Sequence, residues 1–200
     1  MKKTNIAKDT EKLLYSEFEK EKADGIVKLA EEKLSQLCKE NDGETKAVKA
    51  HTFKVIYPAV SYYKAMQEKG ISKEEAYRIM YDAFTNDAKK DYDSMKMMLK
   101  IPGAYKLVPL MWKKVTKNMF GFDAGFVFSF YPTDNTEARF DMTKCPYCEI
   151  FKKLGCFELT KILCHTDDVK NDDLHPKLLW HRTKTMGNGD ELCDFQMKIK

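Results

Sequence analysis

Apolar residues in the first hundred positions recur at three-and-four spacing. Ile6, Leu13, Leu14, Phe18, Ile26, Leu29, Leu34 and Leu37 are separated by Lys and Glu, which predicts amphipathic helix from residue 6 to about 40. Gly25 marks a bend in it, and "NDG" at 41–43 a stop. A second helix is predicted over 45–69, kinked at Pro58 and closed by Gly70. Ser72 with Glu75 three residues on forms a capping signature, so a third helix runs to Leu99. A short amphipathic segment follows, ending near Met119.

From Gly121 the period changes from helical to two. Phe126, Phe128 and Phe130 alternate with smaller or polar residues, and Ala138, Phe140 and Met142 do so after the "PTDN" turn. Two short helices are predicted in 145–168, split at Gly155. The last strands form a hairpin turned at "GNGD", with Cys193, Phe195, Met197 and Ile199 on one face. Helices followed by a four-stranded antiparallel sheet, with two short helices between its hairpins, define an α+β chain. The expected division is an N-terminal helical extension at 1–43 and one α+β domain at 44–200.

Composition removes several function classes. The net charge is only +4, from 35 Lys+Arg against 31 Asp+Glu, and no basic run is interleaved with aromatics, so nucleic acid is not an expected partner. The start "MKKTNIAKDTEK" lacks the apolar core of a signal peptide, and no stretch reaches the roughly 18 apolar residues of a membrane span. A cytoplasmic protein with no membrane partner is the expectation, and its six cysteines then serve metal, catalysis or packing rather than structural disulfides.

Four of those cysteines fall in "CPYCEIFKKLGCFELTKILCHTDD", residues 145–168. Cys156 and Cys164, eight residues apart on one helix, would be separated by roughly 12 Å. That exceeds the span of two ligands on one tetrahedral zinc and argues against a closed four-cysteine site. A mixed site of Cys145, Cys164 or Cys193 with His or Asp stays open, with zinc as a candidate ion. Cys145 precedes Pro146, a residue favoured at the first helical position, which puts its sulfur at a helix N-terminus. Backbone N–H groups there would lower its pKa below about 8.5 and make it react faster than Cys148. Cys164 is expected near the far end of its helix, with His165, Asp167 and Asp168 following it. Cys148 and Cys156 read as packing residues. Asp190 reads as turn chemistry, His175 as a solvated side chain, and Arg182 equally as a carboxylate clamp or a cross-strand ion pair.

Cys145-Pro146, Cys164-x-x-Asp167 and Gly189-Asp190-x-x-Cys193-Asp194-Phe195 together resemble the L-2-amino-thiazoline-4-carboxylic acid hydrolase family. "YPAVSYYKAMQEKGISKEEA" is similar to that family's helical half, so the likeness spans roughly 45–199. Cys148 and Cys156 lie outside the pattern. The resemblance implies opening of a cyclic isothiourea to an N-carbamoyl-cysteine. It implies Cys145 or Cys164 as nucleophile or metal ligand, Cys193 beside them, Asp167 as base, Asp194 as orienter, and Arg182 and His165 toward the substrate. Two other classes stay open: a non-catalytic ligand- or metal-binding module like the vinyl-reductase-type sensor domains, and an interaction protein pairing, as in a homo-oligomer, through its N-terminal helix.

Overall fold

The computed structural model describes residues 3–200. Its order is α1 (Asn5–Glu17), α2 (Lys20–Glu40), α3 (Lys46–His51), α4 (Tyr57–Glu68), α5 (Lys73–Met98), α6 (Val108–Met119), β1 (Val127–Phe130), β2 (Glu137–Lys144), α7 (Pro146–Lys153), α8 (Leu159–Asn171), β3 (Leu178–His181) and β4 (Cys193–Ile199). The fold is α+β, as the change of period indicates. The chain forms two compact units, one of residues 1–87 with 150–162, the other of 88–149 with 163–200.

In the first unit the predicted single N-terminal helix is two. The break falls at Phe18 and Glu19, both in extended conformation, and Gly25 lies inside α2. Asn41 ends α2 by donating its side-chain amide to the Leu37 carbonyl. α1 and α2 pack on α4, whose buried positions run almost unbroken from Tyr57 to Met66. Such all-round burial marks a central helix. Pro58 is accommodated by a π-helical turn at Thr52–Ile56, where the Tyr57 N–H reaches back to the Thr52 carbonyl. Widening the turn just ahead of Pro58 relieves the carbonyl clash that the ring makes in a regular helix. Gly70, at φ 79°, closes α4 by donating to Gln67 while Ile71 donates to Met66, a paired C-terminal cap that needs the left-handed conformation. Ser72 caps α5 through the Glu75 N–H at 3.1 Å, as its spacing predicts.

Three hydroxyls of "YPAVSYY" end on glutamates. Tyr57 donates to Glu44, Tyr62 to Glu11 and Tyr63 to Glu158. Burial first, and the acceptor carboxylate second, raise all three phenols above their ordinary range, so they remain donors. Cys156 belongs to this unit. It is 1% exposed, and burial pushes its thiol up to about 11, which fits a packing role.

The second unit holds the sheet, ordered β1-β2-β4-β3 and antiparallel throughout. Ala138, Phe140, Met142, Cys193, Phe195 and Met197 are the buried face, as their alternation predicts. Phe140 stacks on Phe195 at 4.9 Å between centroids, and Trp112 of α6 lies against Phe140, Phe195 and Trp180. β3 ends at His181, so β3 and β4 are joined by residues 182–192 rather than by a tight turn. Asp190 accepts the Thr185 N–H inside that loop, the turn chemistry expected of it.

Candidate active site

α8 runs through Asn171, beyond the point where the sequence suggests it stops. Cys164 is therefore mid-helix, and Asp167 and Asp168 are helical residues rather than loop or cap residues. At 3.6 residues per turn, Cys164, Asp167, Asp168 and Asn171 share one face. That face meets Arg182, just past the end of β3. Its guanidinium donates to the Cys164 carbonyl at 2.7 Å, to Asp168 at 2.6 Å and to Asp167 at 3.2 Å. It also lies over the Phe195 and Trp180 rings. Its side chain is 4% exposed, so the proposed substrate clamp is already filled by the protein's own carboxylates and carbonyl. The Trp180 indole N–H fixes the other oxygen of Asp168 at 3.0 Å, and Asn171 donates to the Asp167 carbonyl at 2.7 Å while accepting from Trp112.

The two carboxylates differ in what surrounds them. Asp168 is held from two sides, by Arg182 and Trp180. Asp167 has its one side-chain bond at the longer Arg182 contact; both keep 43% of their side-chain surface exposed. Burial among protein atoms pushes the Asp167 carboxyl up to about 6, against the pull of Arg182 and Lys170; the exposed part works against the full rise. A carboxyl in this range is ionised at neutral pH yet still basic enough to accept a proton.

Cys145 caps α7 as expected, its carbonyl accepting the Glu149 N–H. Gly125 and Pro146 set this corner: at Gly125, φ is 89°, and a Cβ would come 3.1 Å from Pro146 Cγ. The expected activation of Cys145 is reversed, however. A hydrogen bond with the Cys148 thiol, then burial, raise its pKa, and the downward pull of the Tyr147 and Cys148 N–H groups is smaller. A helix N-terminus stabilises a thiolate only where the sulfur is not already engaged and desolvated. Cys164 is pushed up to about 12 by burial and then by the charges of Asp167 and Cys193; Cys193, 4% exposed, is pushed up to about 11, again by burial first. The Met186 N–H donates to the Cys193 sulfur at 3.3 Å.

The structure thus brings Cys145, Cys164, Cys193 and Asp167 into mutual electrostatic reach, since Cys145 and Asp167 both act on Cys164 and Cys193. Among the described residues, no three His, Cys, Asp or Glu side chains are disposed to hold one metal ion. Asp194 lies on the other face of β4 from Cys193. Its carboxylate accepts the Thr183 hydroxyl and the Thr183 and Lys184 N–H groups, anchoring the chain just after Arg182. Burial alone would raise it, but these bonds outweigh burial and lower its pKa. His165 is half-buried, one residue and about 100° around α8 from Cys164.

Tyr147 is the residue that the pattern of cysteines conceals. Its phenol is raised by burial and then by the charges of Cys145 and Asp167, so it keeps its proton and remains a hydrogen-bond donor beside them. Trp180 and Asn171 also escape sequence reasoning, although the i, i+3, i+4, i+7 spacing of Cys164 to Asn171 is a signal for the latter.

This is an α+β protein whose second unit sets the Asp167 and Asp168 carboxylates and the Cys164 carbonyl on a buried arginine, with Cys193 and Cys145 nearby. The model of the L-2-amino-thiazoline-4-carboxylic acid hydrolase family matches residues 49–197, and the chain belongs to that family. No curated protein and no solved structure matches it.

Proposed function

We infer that the protein is a hydrolase of a thiazoline carboxylate or a closely related cyclic isothiourea, with Asp167 as general base. The family supports the reaction class, and the observation that carries the residue assignment is the partly exposed Asp167 carboxyl raised to about 6 beside Arg182. The raised thiols favour water over a preformed thiolate as the nucleophile.

In the reactive form the ring nitrogen carries a proton, which makes the carbon between nitrogen and sulfur electrophilic. Water adds to that carbon and gives one proton to Asp167. The carbon–sulfur bond then breaks as the new hydroxyl becomes the urea carbonyl and releases its proton to solvent. The departing sulfur takes the proton held by Asp167, yielding an N-carbamoyl-cysteine. Neutral Cys164 and Tyr147 hydrogen-bond the developing charge, and His165 faces the substrate carboxylate. Arg182 positions Asp167 rather than touching substrate.

Asp167→Asn keeps size and hydrogen-bonding capacity but cannot take a proton. Its turnover should fall roughly 10²–10⁴-fold with the melting temperature nearly unchanged. Wild-type turnover on 2-amino-thiazoline-4-carboxylate that survives in the variant would remove Asp167 from the chemistry. A wild type that binds this compound tightly without turning it over would favour the binding-module reading instead.

A further inference from the structure

Among the described residues, eight of the eleven exposed large hydrophobic side chains lie between Met97 and Phe122. The concentration has a geometry. α6 buries Val108, Thr116 and the Trp112 side of its surface against the sheet. Elsewhere on its surface Leu110, Met111, Val115 and Met119 are exposed, as are Leu107 just before the helix and Phe122, 83% exposed, beyond its end. A surface helix ordinarily keeps its large apolar side chains on the covered face; α6 exposes four of them alongside Lys114 and Lys117.

The charge around it is one-sided. No Asp or Glu occurs between Asp93 and Asp123, while six lysines do. Lys100, Lys106 and Lys114 are exposed in the same stretch as these apolar side chains. A chain whose 35 basic and 31 acidic residues are otherwise mixed therefore carries one segment, between Asp93 and Asp123, that is both cationic and apolar. A second copy of the chain is a poor occupant, because a two-fold interface would set these lysines against themselves. The chemistry that fits both features is an anionic surface with an apolar layer beneath it.

We propose that α6 and its flanks dock the protein peripherally on anionic lipid. Leu110, Met111, Val115 and Phe122 enter the headgroup–acyl boundary, and the lysines meet the lipid phosphates and carboxylates. This differs from a membrane span: no helix among the described residues is long and apolar enough to cross a bilayer. It revises the expectation of no membrane partner, which rested on the absence of spans. It is independent of the hydrolase reading.

The test is co-sedimentation of the full chain with phosphatidylcholine vesicles, with and without phosphatidylserine at about one lipid in three. Binding to the anionic vesicles should be stronger on the order of tenfold or more, and should weaken as salt rises. Met111→Glu with Val115→Glu, both at exposed positions, should abolish binding with the melting temperature retained. Lys106→Gln with Lys114→Gln should weaken it severalfold while leaving the apolar side chains intact. No sedimentation, equal binding to both vesicles, or binding unaffected by either double variant would overturn the proposal. So would a concentration-dependent dimer, or capture by an acidic protein, that the Met111→Glu and Val115→Glu pair abolishes while vesicles remain unbound.

Discussion

Asp167 and Asp194, twenty-seven positions apart in one unit, are tuned in opposite directions. Asp194 is surrounded by donors and lies below its ordinary value of 3.8, whereas Asp167 is desolvated, with Arg182 only partly offsetting that, and rises to about 6. The consequences for stability have opposite signs. The folded chain holds the Asp167 proton more tightly than the unfolded chain, so this group favours folding below 3.8 and that contribution is lost as pH climbs through about 6. Asp194 favours folding above 3.8, and its contribution is lost as pH falls through its lowered folded value. On the acid side catalysis follows Asp167: kcat/KM should rise tenfold per pH unit below about 6, then level off until the ring nitrogen of the substrate loses its proton. Replacing Arg182 by Gln removes the cation that holds Asp167 down, so the acid limb should move to higher pH. An unmoved limb in Arg182→Gln would separate Arg182 from Asp167. The same change takes from Asp168 one of its two donors, and from the Cys164 carbonyl the Arg182 donor, and should cost roughly 2–4 kcal/mol, moderated by the 43% exposure of both carboxylates.

Elements were legible where period and punctuation agree. Gly70 and Gly155 close helices at φ 79° and 71°, Ser72 opens one, and the alternation along Cys193–Ile199 gives the buried face of β4. Length misled in the other places. Nothing local in "CHTDD" says that α8 continues for another turn and a half; that continuation depends on Trp180 of β3 and Arg182 just past it, which donate to Asp167 and Asp168. The π-helical turn before Pro58 likewise reflects a backbone already committed to helix on both sides, where a propensity argument sees only a kink. For Cys145 the N-terminal position was readable, but the Cys148 hydrogen bond and burial that reverse its electrostatics were not. Gly125 shows how tightly that corner is built. Gly125→Ala forces a side chain into a left-handed conformation and against Pro146, so it should lower stability by about 1–2 kcal/mol and turn α7 away from the Cys164 face. Thermal melts with activity on the same preparation decide it; an unaltered melting temperature would mean that the Cys145 corner yields without strain.

At the level of the whole chain, the segment before residue 44 is bound into the fold more firmly than its sequence suggests. Its amphipathic pattern is equally compatible with a detachable appendage, because periodicity identifies an apolar face without saying what covers it. The structure supplies the cover. Ala23, Ile26, Val27 and Ala30 of α2 and Leu14 of α1 are buried, and both helices pack on α4. The polar contacts run the same way: Glu11 accepts from Tyr62 while pairing with Lys3 at 2.8 Å, and Glu17 pairs with Arg78. Deleting residues 1–43 would expose the apolar side of α4 and leave the Tyr62 hydroxyl, raised by burial and by Glu11, without its acceptor. Burying Leu14 and Ile26 alone contributes roughly 3–6 kcal/mol, comparable with the whole stability of many domains of this size. The truncated chain should therefore lose cooperative melting and bind a hydrophobic dye, even though it retains the whole family match over 49–197. Differential scanning calorimetry of the full and truncated chains checks this directly. A truncated chain that melts cooperatively within a few degrees of the full one would show that the first two helices are an appendage after all, and that the family region folds without them.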